Sequence, residues 1–167
     1  RLKQAEDYWQ ENYQRGVEDK EFVTVEGAQW GLHEVQKRKD DGKPSLEFNM
    51  CRAYCRQQIN TQRQNRPQAK VEPVDNGADA DKANLIEGLI KDTEEATDAE
   101  SAYDTAAENA VYGGLGFYRL VTDYVSDTSF NQEPKFMPVQ NPHAVYIDPL
   151  SRSLDGSDMT WAIVGDW

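Results

Sequence analysis

Apolar positions along the chain switch from helical spacing to strand spacing about two thirds of the way through. Residues 1–15 carry Leu2, Ala5, Tyr8, Trp9 and Tyr13 at intervals of three and four, which predicts an amphipathic helix that Gly16 is placed to end. Phe22, Val23 and Val25, followed by Gly27-Ala28-Gln29-Trp30, fit either a short extended segment or a helix end. Residues 33–44 are polar, and Asp40-Asp41-Gly42-Lys43-Pro44 reads as a turn. Asn49 can cap a helix over residues 50–65, because its side-chain oxygen can accept an orphan amide hydrogen and Pro67 blocks continuation. Residues 71–74 predict a short strand, with Pro73 confining it to a sheet edge. After a turn at Asp75-Asn76-Gly77, Asp79 or Asp81 caps a helix whose expected buried face is Leu85, Ile86, Leu89 and Ile90, fraying near Thr97-Asp98. A further helix over residues 99–112 presents Ala102, Ala106 and Ala110 as a small-residue stripe, and Gly113-Gly114 stops it.

Residues 117–125 are rich in β-branched and aromatic side chains and form the clearest strand signal. Further strands are expected at 135–139, 144–147 and 159–164, with turn residues at 131–134, Asn141-Pro142, Asp148-Pro149 and Asp155-Gly156-Ser157-Asp158. Three or more helices followed by a mostly antiparallel sheet is the α+β class, helical over 1–112 and mainly strands over 116–167.

Composition changes this picture in two ways. Leu, Ile, Val and Phe supply only 31 of 167 residues and the net charge is −12, a combination typical of disordered chains. The 4 Trp, 8 Tyr and 5 Phe oppose that reading, since each ring can bury a large area, and together they predict an ordered chain with a sparse core. No apolar run approaches the roughly 18 residues that span a bilayer, and no signal-peptide pattern opens the chain, so no membrane role is expected. The start at Arg1 and the stop at Trp167 suggest ends cut from something longer.

Candidate chemistry is scarce. Cys51 and Cys55 lie one helical turn apart and are expected as two small buried side chains; with His33 and His143 isolated, no metal site is expected. Gly113-Gly114-Leu115-Gly116 follows a helix and opens a strand, the reverse of a phosphate loop, and reads as a helix stop. Asp75, Asp79 and Asp81 lack the glycine and glutamate of a calcium loop and read as caps. Neither histidine sits in a nucleophile motif, so no catalytic residue and no cofactor are expected.

One stretch stands apart by charge. Residues 52–70 hold Arg52, Arg56, Arg63, Arg66 and Lys70 and no acid, while residues 71–110 hold twelve acids and two bases. At about 100° per residue, Arg52, Arg56 and Arg63 fall within about 40° of one another, beside Met50, Cys51, Tyr54, Cys55 and Ile59. The plain reading is a solvated helix face; the functional one is a strip that meets phosphates or a partner's carboxylates. Two copies side by side can set the basic face of one against the acidic helices of the next, and such a head-to-tail contact closes into a ring when its rotation allows.

The run Thr61-Gln62-Arg63-Gln64-Asn65-Arg66-Pro67, followed by Lys70-Val71-Glu72-Pro73-Val74-Asp75 and Ala78-Asp79, resembles the portal proteins of short-tailed, podovirus-type bacteriophages. Gly27-Ala28-Gln29-Trp30, Ala102-Tyr103-Asp104, Gly113 to Tyr118, Asn141-Pro142, Tyr146-Ile147-Asp148-Pro149 and Asp155-Gly156-Ser157-Asp158 agree in order and spacing, so the resemblance covers nearly the whole chain. It implies a non-enzymatic subunit of a ring, usually of twelve copies, at one capsid vertex of the virion. DNA is packaged and ejected through that ring, which is assembled in the host cytoplasm. It further implies contacts with terminase, scaffold, coat and tail or head-completion proteins and with double-stranded DNA in the channel. By similarity, residues 1–167 are the N-terminal part of the wing region, without stem, clip or barrel. The other class of function is a stand-alone nucleic-acid-binding module using the basic helix of Arg52 to Lys70.

Overall fold

The computed structural model describes residues 1–66, 68–74, 79–153 and 156–165. Five helices come first: α1 (Leu2–Thr24), α2 (Leu32–Asp40), α3 (Met50–Gln64), α4 (Ala80–Ala96) and α5 (Ala99–Gly113). Four strands follow: β1 (Tyr118–Tyr124), β2 (Gln132–Pro138), β3 (Val145–Ile147) and β4 (Ala162–Val164), with a single 3₁₀ turn, Pro142–Ala144, ahead of β3. β1 and β2 form an antiparallel hairpin that pairs Tyr118 with Pro138 and Tyr124 with Gln132; β3 and β4 form a second antiparallel ladder centred on Tyr146 and Ile163. The class is α+β, as the sequence predicts, with two small two-stranded sheets in place of one larger sheet.

Helix α5 is the hub, packing against α1, α3, α4 and the hairpin. Its approach to α1 depends on glycine. A Cβ on Gly16 would lie 2.8 Å from the Gly113 carbonyl oxygen, closer than two such atoms tolerate. That contact explains why Gly16 does not end α1, contrary to the sequence expectation: it is buried in mid-helix, and α1 runs another eight residues to Thr24. The segment around Phe22 is therefore a helix end. Beside the glycines, the buried Asn109 of α5 accepts from Lys20 Nζ (3.3 Å) and donates to the Gln140 carbonyl (3.4 Å), tying α1, α5 and the chain after β2 together.

Two aromatic clusters extend this centre. Trp9 Nε1 donates to the Ile147 carbonyl (3.2 Å) and Tyr13 donates its hydroxyl to the Val145 carbonyl, so α1 is stitched to β3. Tyr13 also meets the rings of His143 and Tyr146 at 5.4 and 6.0 Å, edge-on. Burial, reinforced by Tyr146, pushes the Tyr13 phenol up to about 12, and burial beside Lys20 holds the His143 imidazole below its usual range. On the other side, Tyr103 of α5 sits edge-on to Tyr118 and Phe136 at 5.0 and 5.6 Å and donates to Glu94 of α4 (2.8 Å). Between β3 and β4, the buried Asp148 accepts from Thr160 Oγ1 (2.5 Å) and the Leu150 amide (3.0 Å), and Asp158 accepts from Ser151 Oγ (2.6 Å) and the Arg152 amide (2.7 Å). These bonds hold both carboxyl groups below the usual carboxylate range.

The core is sparse, as composition foretells: most of the buried apolar side chains are alanines and valines, with Ile59 the largest among the described residues. Several expectations are corrected. Residues 33–40 belong to α2, a helix the apolar pattern hides because its surface is polar nearly all round; the turn falls at Asp41-Gly42, where Gly42 takes φ of 70°. Residues 71–74 pair with no strand among the described residues; the Val71 amide donates instead to the Glu87 carboxylate (3.5 Å). The link between β1 and β2 turns at residues 125–129, which leaves Pro134 inside β2. Cys51 is exposed and Cys55 half-buried, so the two are not a buried pair. The predicted stop after α5 is present: Gly114 adopts φ of 81°, and a Cβ on Gly116 would overlap the Ala106 carbonyl oxygen. Pro67, the turn at Asp75-Asn76-Gly77 and Asp155 lie outside the described residues.

Candidate assembly surface

The basic strip begins at a well-made cap. Asn49 Oδ1 accepts from the Arg52 amide (2.9 Å), as the sequence predicts, while its Nδ2 donates to the Val23 carbonyl (2.9 Å) and so sets α3 against the end of α1. From there the side chains withdrawn from solvent recur at intervals of three and four: Arg52, Cys55, Ile59, Gln62 and Arg66 are half-buried or buried, and Ile59 is 5% exposed. Seven residues are nearly two turns, so Ile59 shares the side of Arg52 instead of lying beside it. Met50 and Tyr54, expected near that stripe, point to solvent.

Two arginines at the C-terminal end of the strip meet carboxylates of their own chain. Arg63 Nε lies 3.1 Å from Asp104, with Glu108 at 3.7 Å, and Arg66 Nη2 lies 3.0 Å from Asp104 while Nη1 pairs with Glu100. The Glu100 hydrogen bond, opposed by partial desolvation and helped by Asp104, raises the Arg66 pKa further. Lys70 pairs with Glu72 at 2.5 Å. Arg52 is half-buried beside Glu26 and Glu47 and Arg56 is exposed; neither makes an ion pair among the described residues. Thus α5 supplies part of the acidic complement that the sequence assigns to a neighbouring copy.

Helix α4 corrects the sequence reading more strongly. Asp79 caps it by accepting from the Asp81 amide (2.9 Å), as expected. Its supposed buried face is largely open: Leu85 is 64% exposed, Leu89 58% and Ile86 48%, with Ile90 half-buried and Ala83 inside instead. Ile86, Leu89 and Ile90 form one wall of an apolar groove of about 260 Å³, whose other wall is Leu120, Pro134 and Phe136 of the hairpin. Periodicity revealed that α4 is amphipathic; it carried no information on whether the same chain covers the stripe.

A second set of exposed apolar side chains lies on an arm comprising residues 25–48. The arm braces itself: the Arg38 guanidinium lies 4.7 Å over the Trp30 ring and donates to the Pro44 carbonyl (2.7 Å), and Trp30 Nε1 donates to the Leu46 carbonyl (3.1 Å). Leu32, Phe48 and Leu46 on this arm are 91%, 79% and 65% exposed. Among the described residues no cluster of His, Cys, Asp and Glu is arranged to hold a metal ion, and no helix is long and apolar enough to cross a membrane.

The family described as phage P22-like portal protein matches residues 1–167. A portal protein of Acyrthosiphon pisum secondary endosymbiont phage 1 is 30% identical over 155 residues, which cover 87% of this chain and 21% of that relative. The chain therefore spans about a fifth of the relative's length. With a match that runs through every described helix and strand, the chain belongs to the P22-like phage portal protein family.

Proposed function

We propose that the chain serves as part of a ring-forming portal subunit, a structural connector between head and tail through which the phage genome enters and leaves. The observation that carries this reading is the family match from the first residue to the last. The physical character of the chain supports it. The core is thin, large apolar side chains stand open on α4 and on the arm, and the acidic balance of −12 disfavours adhesion to a passing polyanion. In this role the subunit works at the portal vertex of the virion after assembly in the host cytoplasm, alongside scaffold, coat and tail components. Hydrolysis of ATP belongs to a terminase that docks on the ring, so the subunit itself is not an enzyme.

Within the ring, Arg52 and Arg56 are the cations of the strip left for a neighbouring copy, while Arg63 and Arg66 brace α3 on α5. Ion pairing of Arg63, Arg66 and Lys70 with their own chain lends less support to a stand-alone nucleic-acid module. Electron microscopy of the complete gene product tests the reading: closed rings with a central channel are expected, and a protein that stays monomeric at every concentration overturns it. Duplex DNA titrated against salt tests the module, which requires a steep loss of affinity as salt rises.

A further inference from the structure

The strands of this chain do not treat their edges alike. In the β1–β2 hairpin the Val139 amide donates to the Phe117 carbonyl (3.4 Å) and the Val125 amide to the Asn131 carbonyl (3.0 Å), so the ladder hydrogen bonds fall on the odd-numbered pairs. Tyr118, Leu120, Thr122 and Tyr124 of β1, and Gln132, Pro134, Phe136 and Pro138 of β2, therefore turn their backbone groups away from the partner strand. On β2 that outward edge is closed. Pro134 and Pro138 have no amide hydrogen to offer, and the Phe136 amide donates to Thr97 Oγ1 (3.4 Å) at the end of α4. On β3 it is occupied, since the Val145 and Ile147 carbonyls accept from Tyr13 and Trp9 of α1. Over most of its length β1 has neither device. Tyr124 gives its amide to the Asp123 carboxylate (2.9 Å), but the amides of Tyr118, Leu120 and Thr122 have no hydrogen-bond partner among the described residues, and all three residues are exposed.

An edge of this kind, bearing the exposed Tyr118, Leu120 and Tyr124, is a template for unwanted pairing wherever the subunit is free in solution. Cover from a neighbouring copy arrives only on assembly, and pairing of β1 with its own equivalent in a second copy gives a two-fold contact that stops at dimers. A strand of the same polypeptide is present at every concentration, held close by its linkage. The relative, of which this chain matches 21%, has ample further chain to supply one. We infer that β1 is an interior strand of the complete subunit: a strand from outside residues 1–167 of the same polypeptide pairs with the outward backbone groups of Tyr118, Leu120 and Thr122. The hairpin then becomes a three-stranded sheet in the order β2, β1, added strand. Main-chain hydrogen bonds recognise the added strand, and its residues on the side of Leu120 are apolar because they border the groove against α4.

Hydrogen exchange resolved to single residues, on the complete gene product diluted until it is unassembled, tests the pairing. In an edge strand only the amides of Arg119, Val121 and Asp123, bonded to β2, exchange slowly, so protection alternates along β1; in an interior strand protection is continuous. The amides of Tyr118, Leu120 and Thr122 are expected to exchange about a hundredfold or more slowly than unbonded amides. Thr122→Pro removes one outward donor and sets a ring in the new seam, and it is expected to speed exchange at Leu120 about tenfold or more, whereas a true edge tolerates it. Alternating protection in both the unassembled and the assembled protein overturns the inference, and so does a Thr122→Pro variant that exchanges as wild type does. Protection that appears only on assembly overturns it too, and assigns the edge to a neighbouring copy. Should the variant not fold, the wild-type pattern decides alone. None of these outcomes depends on ring formation, which microscopy reads separately.

Discussion

Helices α3 and α4 flank the same central helix and are both amphipathic, yet they use their faces in opposite ways. The side of α3 that carries Ile59 turns inward and the two C-terminal arginines, Arg63 and Arg66, meet carboxylates of α5, whereas the leucine-bearing side of α4 stands in solvent. A periodic stripe therefore specifies that a helix has two faces; what covers each face depends on chain elements that the stripe does not encode. In α3 the cover is intramolecular, and the long arginine side chains reach acids while their stems lie along the seam. In α4 no described element of the same chain provides it.

The sharpest way to break this comparison is at the glycines on which the centre depends. Gly116→Val places a side chain against the Ala106 backbone and is expected to cost about 3 kcal/mol or more; Gly16→Ala, forcing α1 from Gly113, is expected to cost about 1–3 kcal/mol. Urea unfolding of the unassembled complete gene product reads both. Truncation of one side chain from each flanking helix then tests the contrast itself. Ile59→Ala should lose about 2–4 kcal/mol, while Leu89→Ala should change the stability of the unassembled protein by no more than about 0.5 kcal/mol. Equal losses at the two positions contradict the account. At the start of α3, Asn49→Ala removes the cap and is expected to cost about 1 kcal/mol, with a further loss from the Val23 contact. The half-exposed Arg63–Asp104 pair should show a coupling of about 0.2–1 kcal/mol in a double-mutant cycle, shrinking as salt is raised.

The smallest effect is set by pH. His143 is held neutral by burial and by Lys20, so its folded pKa lies below the unfolded value of 6.5. The unfolded chain therefore binds the proton first as pH falls. The stabilisation is complete above pH 6.5 and is lost as pH drops from there toward the folded value. His143→Gln should flatten this limb of a stability-versus-pH curve, and an unchanged slope counts against the assignment. Tyr13 gives the mirror case: its raised pKa keeps stabilisation below pH 10 and loses it between 10 and about 12.

Much of the architecture was legible because local chemistry dictates it. Asn49 and Asp79 announce the starts of α3 and α4, Gly114 marks the end of α5, and the aromatic and β-branched run marks β1. The errors have physical causes too. Gly16 reads as a helix stop although its lack of a Cβ serves a close approach of two backbones, a tertiary need that looks the same in sequence. Helix α2 is hidden in the apolar pattern because it buries no stripe; Gln36 bonded to Asp40 at 2.9 Å and basic residues in its last turn support it instead. The basic strip was visible as charge, but its direction was not, since Asp104 and Glu108 approach it only in the folded chain.

Electron cryo-microscopy of the assembled complete gene product addresses the central claim most directly. The account predicts that Leu85 and Leu89 of α4 are covered by protein beyond the elements of residues 1–165, while Arg63 and Arg66 remain on Asp104 of their own chain. A ring in which the α4 stripe faces open solvent, or in which Arg63 reaches across to the neighbour's carboxylates, contradicts it.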